Sequence, residues 1–144
     1  MKNIKLMLII LISIGCFGPS EVEMSELTKI DGRMYFGTDD DPYTGIAIRF
    51  YDSDKNQIAC ELSYENGKMH GKTTCWYKSG ERMAEVFYKL GEKDGMDTMW
   101  HENGQKSSEK SWKDGKYDGV ITYWDKNGKM TSKTRYKNDK EIAF

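Results

Sequence analysis

The stretch WKDGKYDGVITYWDKNGK, residues 112–129, contains the pattern that decides the fold. It combines a short run rich in Val, Ile, Thr and aromatic residues with glycine-containing turns on either side, which is typical of β-strands. Asn127-Gly128 is the strongest short-range hairpin signal, because both residues tolerate the positive φ of a tight turn. The two glycines of the other connection, Gly115 and Gly119, argue against helix. The stretch therefore predicts strand, turn, strand and turn.

The same pattern recurs every 24 residues through most of the 144-residue chain. A fixed period of this size indicates an array of small units that bury surface only against their neighbours. We therefore predict an all-β fold, a single-layer elongated antiparallel meander of stacked β-hairpin repeats with eight to ten short strands. The repeated positions are Trp76, Trp100 and Trp124; Gly67, Gly91 and Gly115; Gly71, Gly95 and Gly119; Gly80, Gly104 and Gly128; and Tyr64, Tyr88, Trp112 and Tyr136.

The first fifteen residues predict a secretory signal peptide, with Lys2 and Lys5 before an apolar run over 6–14. That run is far shorter than the roughly 20 residues needed to span a bilayer. Residues 13–16, Ser-Ile-Gly-Cys, resemble a bacterial lipobox, in which Cys16 becomes the lipid-bearing first residue of a lipoprotein. Two acyl chains on Cys16 anchor a protein stably to a membrane. The alternative is ordinary cleavage near Gly15 or Gly18, which gives a soluble secreted or periplasmic protein.

The remaining domain boundaries are set by where the 24-residue repeat begins and ends. Residues 16–26 lack periodicity and predict a flexible tether behind the lipidated cysteine. Residues 27–63 form an atypical first repeat, as expected for a unit that caps an array. Residues 64–139 hold the regular repeats, and 140–144 form a C-terminal tail.

The charge balance disfavours nucleic acid as a partner. The formal net charge is −1, and removal of residues 1–15 takes away two lysines and no acids, which leaves −3. Nucleic-acid binding needs a basic stripe, whereas the charges here are interspersed along the repeats.

A symmetric fold of the connection between Tyr64 and Gly71 makes a definite prediction about register. It sets Tyr64, Tyr88 and Trp112 opposite the glycines seven residues later, where each ring would cover cross-strand backbone. The same register sets Cys60 opposite Cys75, close enough for a disulfide in an exported chain. The alternatives are two free cysteines packed as small hydrophobes, or a bulge that separates them.

The register also separates the aromatic residues onto two faces. Trp76, Trp100 and Trp124 fall on one face, and the series that begins at Tyr64 falls on the other. The rings then cover neighbouring strands, a structural role. The functional alternative is that the three tryptophans form an exposed surface that binds a protein partner through aromatic hot spots.

The sequence offers no recognisable catalytic or metal site. His70 and His101 lack companions at zinc-ligand spacing and are interpreted as turn residues. The acidic stretch that begins at Asp52 lacks the glycine and the bidentate acid of an EF-hand. We therefore predict a non-catalytic protein with no cofactor, no metal and no small-molecule substrate.

The repeat Tyr-x-x-Gly-x-x-x-Gly-x-x-x-x-Trp followed by Asn-Gly or Ser-Gly resembles the variant MORN repeat of bacteria over residues 35–139. The resemblance implies scaffold, protein-binding or membrane-associating roles and, in one bacterial group, antitoxin or immunity partners of toxins. Together with the signal peptide it predicts a protein-binding or scaffold module, lipid-anchored at the bacterial cell envelope. The alternatives are an immunity protein that neutralises a secreted toxin and, more distantly, an enzyme with an unrecognised site.

Overall fold

The computed structural model describes residues 19–52 and 55–144, so the predicted signal peptide and Cys16 lie outside the described residues. The described chain is built almost entirely of β-strands, with one short 3-10 helix at Met24–Glu26. The strands are β1 Glu21–Glu23, β2 Leu27–Ile30, β3 Arg33–Phe36, β4 Gly45–Phe50, β5 Ile58–Glu65, β6 Lys68–Trp76, β7 Arg82–Lys89, β8 Glu92–Trp100, β9 Lys106–Lys113, β10 Lys116–Trp124, β11 Met130–Lys137 and β12 Lys140–Ile142.

Ten of these strands form one open sheet in the order β1-β4-β5-β6-β7-β8-β9-β10-β11-β12. From β4 onward every strand pairs antiparallel with the next, which confirms the predicted all-β meander of hairpins. Two features depart from a pure meander. Strand β1 pairs parallel with β4, and β2 and β3 form a separate hairpin.

Two kinds of turn alternate along the sheet. The tight turns have positive φ at both central residues, as at Asn66-Gly67 (49° and 73°), which is the type I′ geometry. The other turns are three-residue loops such as 78–80, in which the Gly80 N–H donates to the Tyr77 carbonyl at 2.9 Å. Hairpins form at Asn103-Gly104 and Asn127-Gly128, as the Asn-Gly signal predicts, but the expected two-residue turn with positive φ at both residues is wrong. Only the glycine there has positive φ, because a type I turn followed by one left-handed residue closes these loops.

The predicted pairing of aromatic residues with glycines seven positions later is also wrong. Tyr64 lies opposite Met69 rather than Gly71, because three residues of β6 oppose the single residue Ser63 of β5. The same two-residue expansion recurs in the next two hairpins, so Tyr88 pairs with Lys93, and Trp112 pairs with Tyr117. Gly71, with φ 83°, supplies the left-handed conformation that the bulge requires.

Each bulge glycine instead lies opposite an aromatic residue of the strand on its other side. The predicted pairing of aromatic residues with glycines therefore occurs across a different strand boundary. Two extra residues leave the alternation of side chains unchanged, which is why the rest of the predicted register survives. The observed pairs are Gly45 with Tyr64, Gly71 with Tyr88, Gly95 with Trp112, and Gly119 with Tyr136.

Hydrogen bonds link each tight turn to the preceding repeat. The second residue of each turn donates its backbone N–H to a carbonyl of that repeat, so one turn is stacked on the next. Side chains add to this column, since the hydroxyl of Thr44 and the carboxylate of Asp94 accept the first N–H of the following turns. The backbone bonds are Gly67 to Tyr43 at 2.7 Å, Gly91 to Met69 at 2.8 Å, Gly115 to Lys93 at 2.9 Å, and Asp139 to Tyr117 at 3.0 Å.

A small apolar core closes the N-terminal end of the sheet. Val22, Leu27, Tyr43, Ala47 and Tyr64 are buried together there. Burial raises the pKa of Tyr43 to about 12. The predicted flexible tether is therefore wrong for residues 21–26, because β1 and the short helix are held against this core.

The C-terminal tail also departs from its prediction. Residues Lys140–Ile142 form β12, which pairs antiparallel with β11. A type I′ turn at Asn138-Asp139 joins the two strands, since both residues have positive φ. The hairpin repeat therefore continues past the predicted boundary at residue 139.

The predicted disulfide is present in the structure. Cys60 and Cys75 are direct cross-strand partners on β5 and β6, and their Sγ atoms are bonded across a Cα–Cα distance of 4.1 Å. The Arg49 guanidinium lies beside the bridge and donates to Cys60 Sγ at 3.1 Å. The covalent bond fixes the first regular hairpin.

Candidate functional site

The register divides the side chains of the long sheet between two faces. The disulfide face carries Cys60 and Cys75, together with the aromatic series Tyr64, Tyr88, Trp112 and Tyr136. The tryptophan face lies on the opposite side of the sheet and carries Trp76, Trp100 and Trp124. Each tryptophan directly follows, in sequence, a residue whose side chain lies on the disulfide face. Because the bulges insert two residues rather than one, the two aromatic series lie on opposite faces, as the sequence predicts.

The tryptophans form one row with cationic side chains between them. Trp76 pairs across the strands with Arg82, and Trp100 pairs with Lys106. Each cation also lies over the tryptophan of the next hairpin: Arg82 Cζ is 5.2 Å from the Trp100 ring centroid, and Lys106 Nζ is 6.0 Å from that of Trp124. These are cation–π distances. The tryptophans are half-buried and the two cations are exposed.

A second row crosses the middle of the tryptophan face. It alternates acids with threonines over six strands and ends in a lysine: Glu61, Thr74, Glu85, Thr98, Glu109, Thr122 and Lys133. The glutamates are half-buried, and two of them, Glu85 and Glu109, contact cations of the neighbouring rows. Glu85 lies 3.7 Å from Lys72 and 3.8 Å from Arg82, and Glu109 accepts a hydrogen bond from Lys106.

A third row on this face is apolar where it crosses β7 and β8. Phe87 and Met96 are exposed there. The row continues through Ser111 of β9 and Val120 of β10 to Arg135 of β11. Aromatic residues, Met and Arg are the residue types enriched in protein–protein interfaces. The tryptophan row and this apolar segment therefore contain the residue types of a binding surface.

The disulfide face contains a charged cluster that the sequence analysis missed. Asp97 is only 2% exposed, and its Oδ2 accepts a hydrogen bond from Lys93 Nζ at 2.6 Å. The same ammonium lies 4.6 Å from the ring centroid of Trp112, which stacks on Tyr117 at 4.0 Å. Burial is the largest cause of the raised pKa of Tyr117. A sequence signal existed, because Asp97 occupies the repeat position of Thr73 and Ile121.

The two histidines have structural contacts in the turns. His70 Nδ1 lies 2.9 Å from Glu65 Oε2, and His101 Nε2 lies 3.0 Å from the Trp124 carbonyl oxygen. The hydroxyls of Tyr51 and Tyr77 donate to the equivalent carbonyls of Trp76 and Trp100, so His101 occupies a tyrosine position of the repeat.

The described residues also give two findings about other kinds of site. Within residues 19–52 and 55–144, no group of three or more His, Cys, Asp or Glu side chains is arranged to hold a metal ion. No helix in this part of the chain has the length and apolar character to cross a membrane.

The geometry defines a class of protein: an open β-repeat array that displays rows of side chains on both faces. Comparison with protein families agrees, because the MORN repeat variant matches residues 69–90 and 117–138. The chain therefore contains MORN-type repeats. Residues 93–114 lie at the same spacing between the two matches and have the same strands and turns. No curated protein and no solved structure matches the chain.

Proposed function

We propose that this chain is a non-catalytic module that binds a protein partner through its tryptophan face. MORN repeats generally form protein- or membrane-binding modules, and two matched segments support that class here. The observation that carries the proposal is the tryptophan row with Arg82 and Lys106 stacked along it. Trp and Arg dominate the energetics of protein interfaces.

The architecture favours a broad surface over an enclosed pocket. A single-layer sheet leaves both faces in contact with solvent, so each row remains available along several strands. One depression lies beside His101 and is lined by Glu102, Asn103 and Lys126, and another lies beside Met24 and is lined by Glu23, Arg49, Asp52 and Lys55. Both are open on one side, which favours a broad binding surface over an enclosed catalytic pocket.

The proposal includes export and attachment to a bacterial envelope through Cys16. It rests on the basic and apolar segments of residues 1–15 and on the lipobox-like residues 13–16. Mass spectrometry of the mature N-terminus should find diacylglycerol on Cys16, and globomycin should block its processing. A mature chain that starts at another, unmodified residue would refute the anchor and leave the binding proposal intact.

Two methionines on β8 provide a matched test of the binding face. Met96 lies on the tryptophan face and is 38% exposed, whereas Met99 lies on the disulfide face and is 36% exposed. We expect Met96→Glu to abolish capture of the partner from envelope extracts, because it buries a charge in the interface. Met99→Glu should leave capture unchanged.

The reverse pattern, or equal effects of the two substitutions, would refute the tryptophan face as the binding site. Circular dichroism of both variants verifies that the sheet is intact. The captured partner also decides the narrower alternative. A toxin whose activity this chain inhibits would make it an immunity protein.

A further inference from the structure

We infer that the partner presents an acidic α-helix to the tryptophan face, with two carboxylates seven residues apart that bind Arg82 and Lys106. The inference rests on the proposed function, since it uses the same face, and it specifies the chemistry of the partner.

The charges of the tryptophan face favour an acidic partner. The three rows of the tryptophan face contain five exposed cations and three half-buried glutamates, although the whole chain has a formal net charge of −1. The outermost groups of these rows are therefore positive, and they complement an acidic partner. The cations are Lys72, Arg82, Lys106, Lys133 and Arg135, and the acids are Glu61, Glu85 and Glu109.

Arg82 and Lys106 differ in their carboxylate contacts, since Lys106 is hydrogen-bonded to Glu109 and Arg82 is the more available of the two. The Arg82 guanidinium is stacked on Trp100, and its side chain is 53% exposed. The nearest carboxylate oxygen, on Glu85, is 3.8 Å away, which is too long for a hydrogen bond, and Glu85 is shared with Lys72. A guanidinium presents a rigid fork of donors that matches a carboxylate in two parallel hydrogen bonds. Stacking on the indole orients that fork in advance.

The distance between Arg82 and Lys106 matches the repeat of an α-helix. Arg82 and Lys106 lie on β7 and β9, two strands apart, which corresponds to about 9.6 Å between them. Residues seven apart on a helix lie on one face and are separated by about 10.5 Å, whereas residues four apart are separated by about 6 Å. Carboxylates at positions 1 and 8 of a helix therefore match the two cations.

The same spacing predicts what lies between the two carboxylates. Trp100 is on β8, between the strands of Arg82 and Lys106. Position 4 of the helix lies about 4.5 Å along the axis from position 1, so it faces this indole. An apolar residue is expected there because it would pack on the half-buried ring. The predicted recognition pattern is acid, two residues, an apolar residue, three residues, acid.

Helical peptides of defined spacing test the inference with the full exported domain. The probe is a lactam-stabilised peptide with Glu at positions 1 and 8 and Leu at position 4. One control replaces both glutamates with glutamine, and another places them at positions 1 and 5. We expect the first peptide to bind at least about tenfold more tightly than either control, a difference of about 1.4 kcal/mol. Equal binding of the peptide with Glu at 1 and 5 would overturn the spacing.

Charge reversal identifies the residues involved. Arg82→Glu with Lys106→Glu should weaken binding of the probe by about tenfold or more. Lys113→Glu with Lys116→Glu makes the same change in net charge at the end of hairpin β9–β10 and should alter binding by less than about twofold. If the two double variants lose the same binding affinity for the probe, net charge alone explains the effect and the inference is wrong.

The two proposals fail in different ways. If capture of the natural partner needs Met96 but is unaffected by the reversal of Arg82 and Lys106, the binding face stands and the acidic helix is wrong. If Met96→Glu leaves capture intact, the binding face itself is wrong, whatever the peptides do.

Discussion

Hairpin β5–β6 is closed by the disulfide between Cys60 and Cys75, whereas hairpin β7–β8 places Ala84 and Met99 at the same register. At this face the second hairpin instead has the ion pair of Lys93 and the buried Asp97, both of which lie on β8. The turns, bulges and strand pairing are the same in both. Backbone geometry therefore maintains the repeat, and the side chains of the disulfide face are free to differ between units.

The third hairpin, β9–β10, extends the comparison. Its position equivalent to Asp97 is Ile121, which is buried, and its aromatic residues stack in sequence from Trp112 through Tyr117 to Tyr136. One backbone thus accepts a covalent bond, an ion pair or an aromatic stack in successive units. Of the three, the ion pair depends most on both partners, since a lone buried charge is strongly unfavourable.

The largest expected effect is therefore at the ion pair. Lys93→Met gives the second hairpin the residue that the first hairpin has at the equivalent position, Met69. The substitution leaves the Asp97 carboxylate without its cation. We expect a loss of about 3 kcal/mol in the free energy of unfolding, measured by urea denaturation. Adding Asp97→Thr, which introduces the residue found at the equivalent position 73, should recover most of the lost free energy of unfolding. A double variant as unstable as Lys93→Met would show that the lost lysine packing, and not the charge, is responsible.

The disulfide has the next largest expected effect. Cys60→Ala with Cys75→Ala opens a loop with a sequence separation of 15 residues, which corresponds to about 3 kcal/mol in chain-entropy terms. Engineered and native bridges often give somewhat less, so we place this effect below that of Lys93→Met. Urea denaturation with and without a reducing agent measures it, and the alanine variant should be insensitive to the reductant. A stable, reductant-insensitive wild type would show that the bridge does not form in solution.

The smallest expected effect is at the tight turn of the second hairpin. Leu90 has φ 52° and is 58% exposed, while Asn66 and Asp114 occupy the same position in the neighbouring turns. A leucine in the left-handed region is strained, whereas asparagine tolerates it. We expect Leu90→Asn to raise the free energy of unfolding by about 0.5–1 kcal/mol. The converse, Asn66→Leu, should lower it, and a destabilised Leu90→Asn would show that Leu90 makes a compensating contact.

The repeat positions made the fold predictable from sequence. Glycine, turn residues and tryptophan recur at fixed spacing, so strand number, meander topology and the segregation of two aromatic series all follow. The predicted pairing of Cys60 with Cys75 is also right. The bulge adds its two residues between the pair Leu62–Thr73 and the tight turn, so the pairs on the other side of Leu62–Thr73 keep the predicted register.

Other features carry no comparable signal. The bulge depends on a backbone conformation at Gly71, and a glycine in sequence does not show whether it serves a turn, a bulge or a close contact. The burial of β1 depends on Val22, a single apolar residue in a polar segment. The repeat marks Asp97 as an exception, but it does not show that this carboxylate is buried beside Lys93 in a cluster with Trp112 of the neighbouring strand. Tertiary contacts decide all three.

The disulfide also has a mechanical consequence. When the two ends of a meander are pulled apart along the sheet, the force peels strands away one after another, and each released strand lengthens the chain. The bond between Cys60 and Cys75 prevents the residues between them from extending. These residues would contribute about 50 Å of contour length if fully stretched. Under tension, hairpin β5–β6 would therefore open only partway, and the released length would report directly whether the thiols are oxidised.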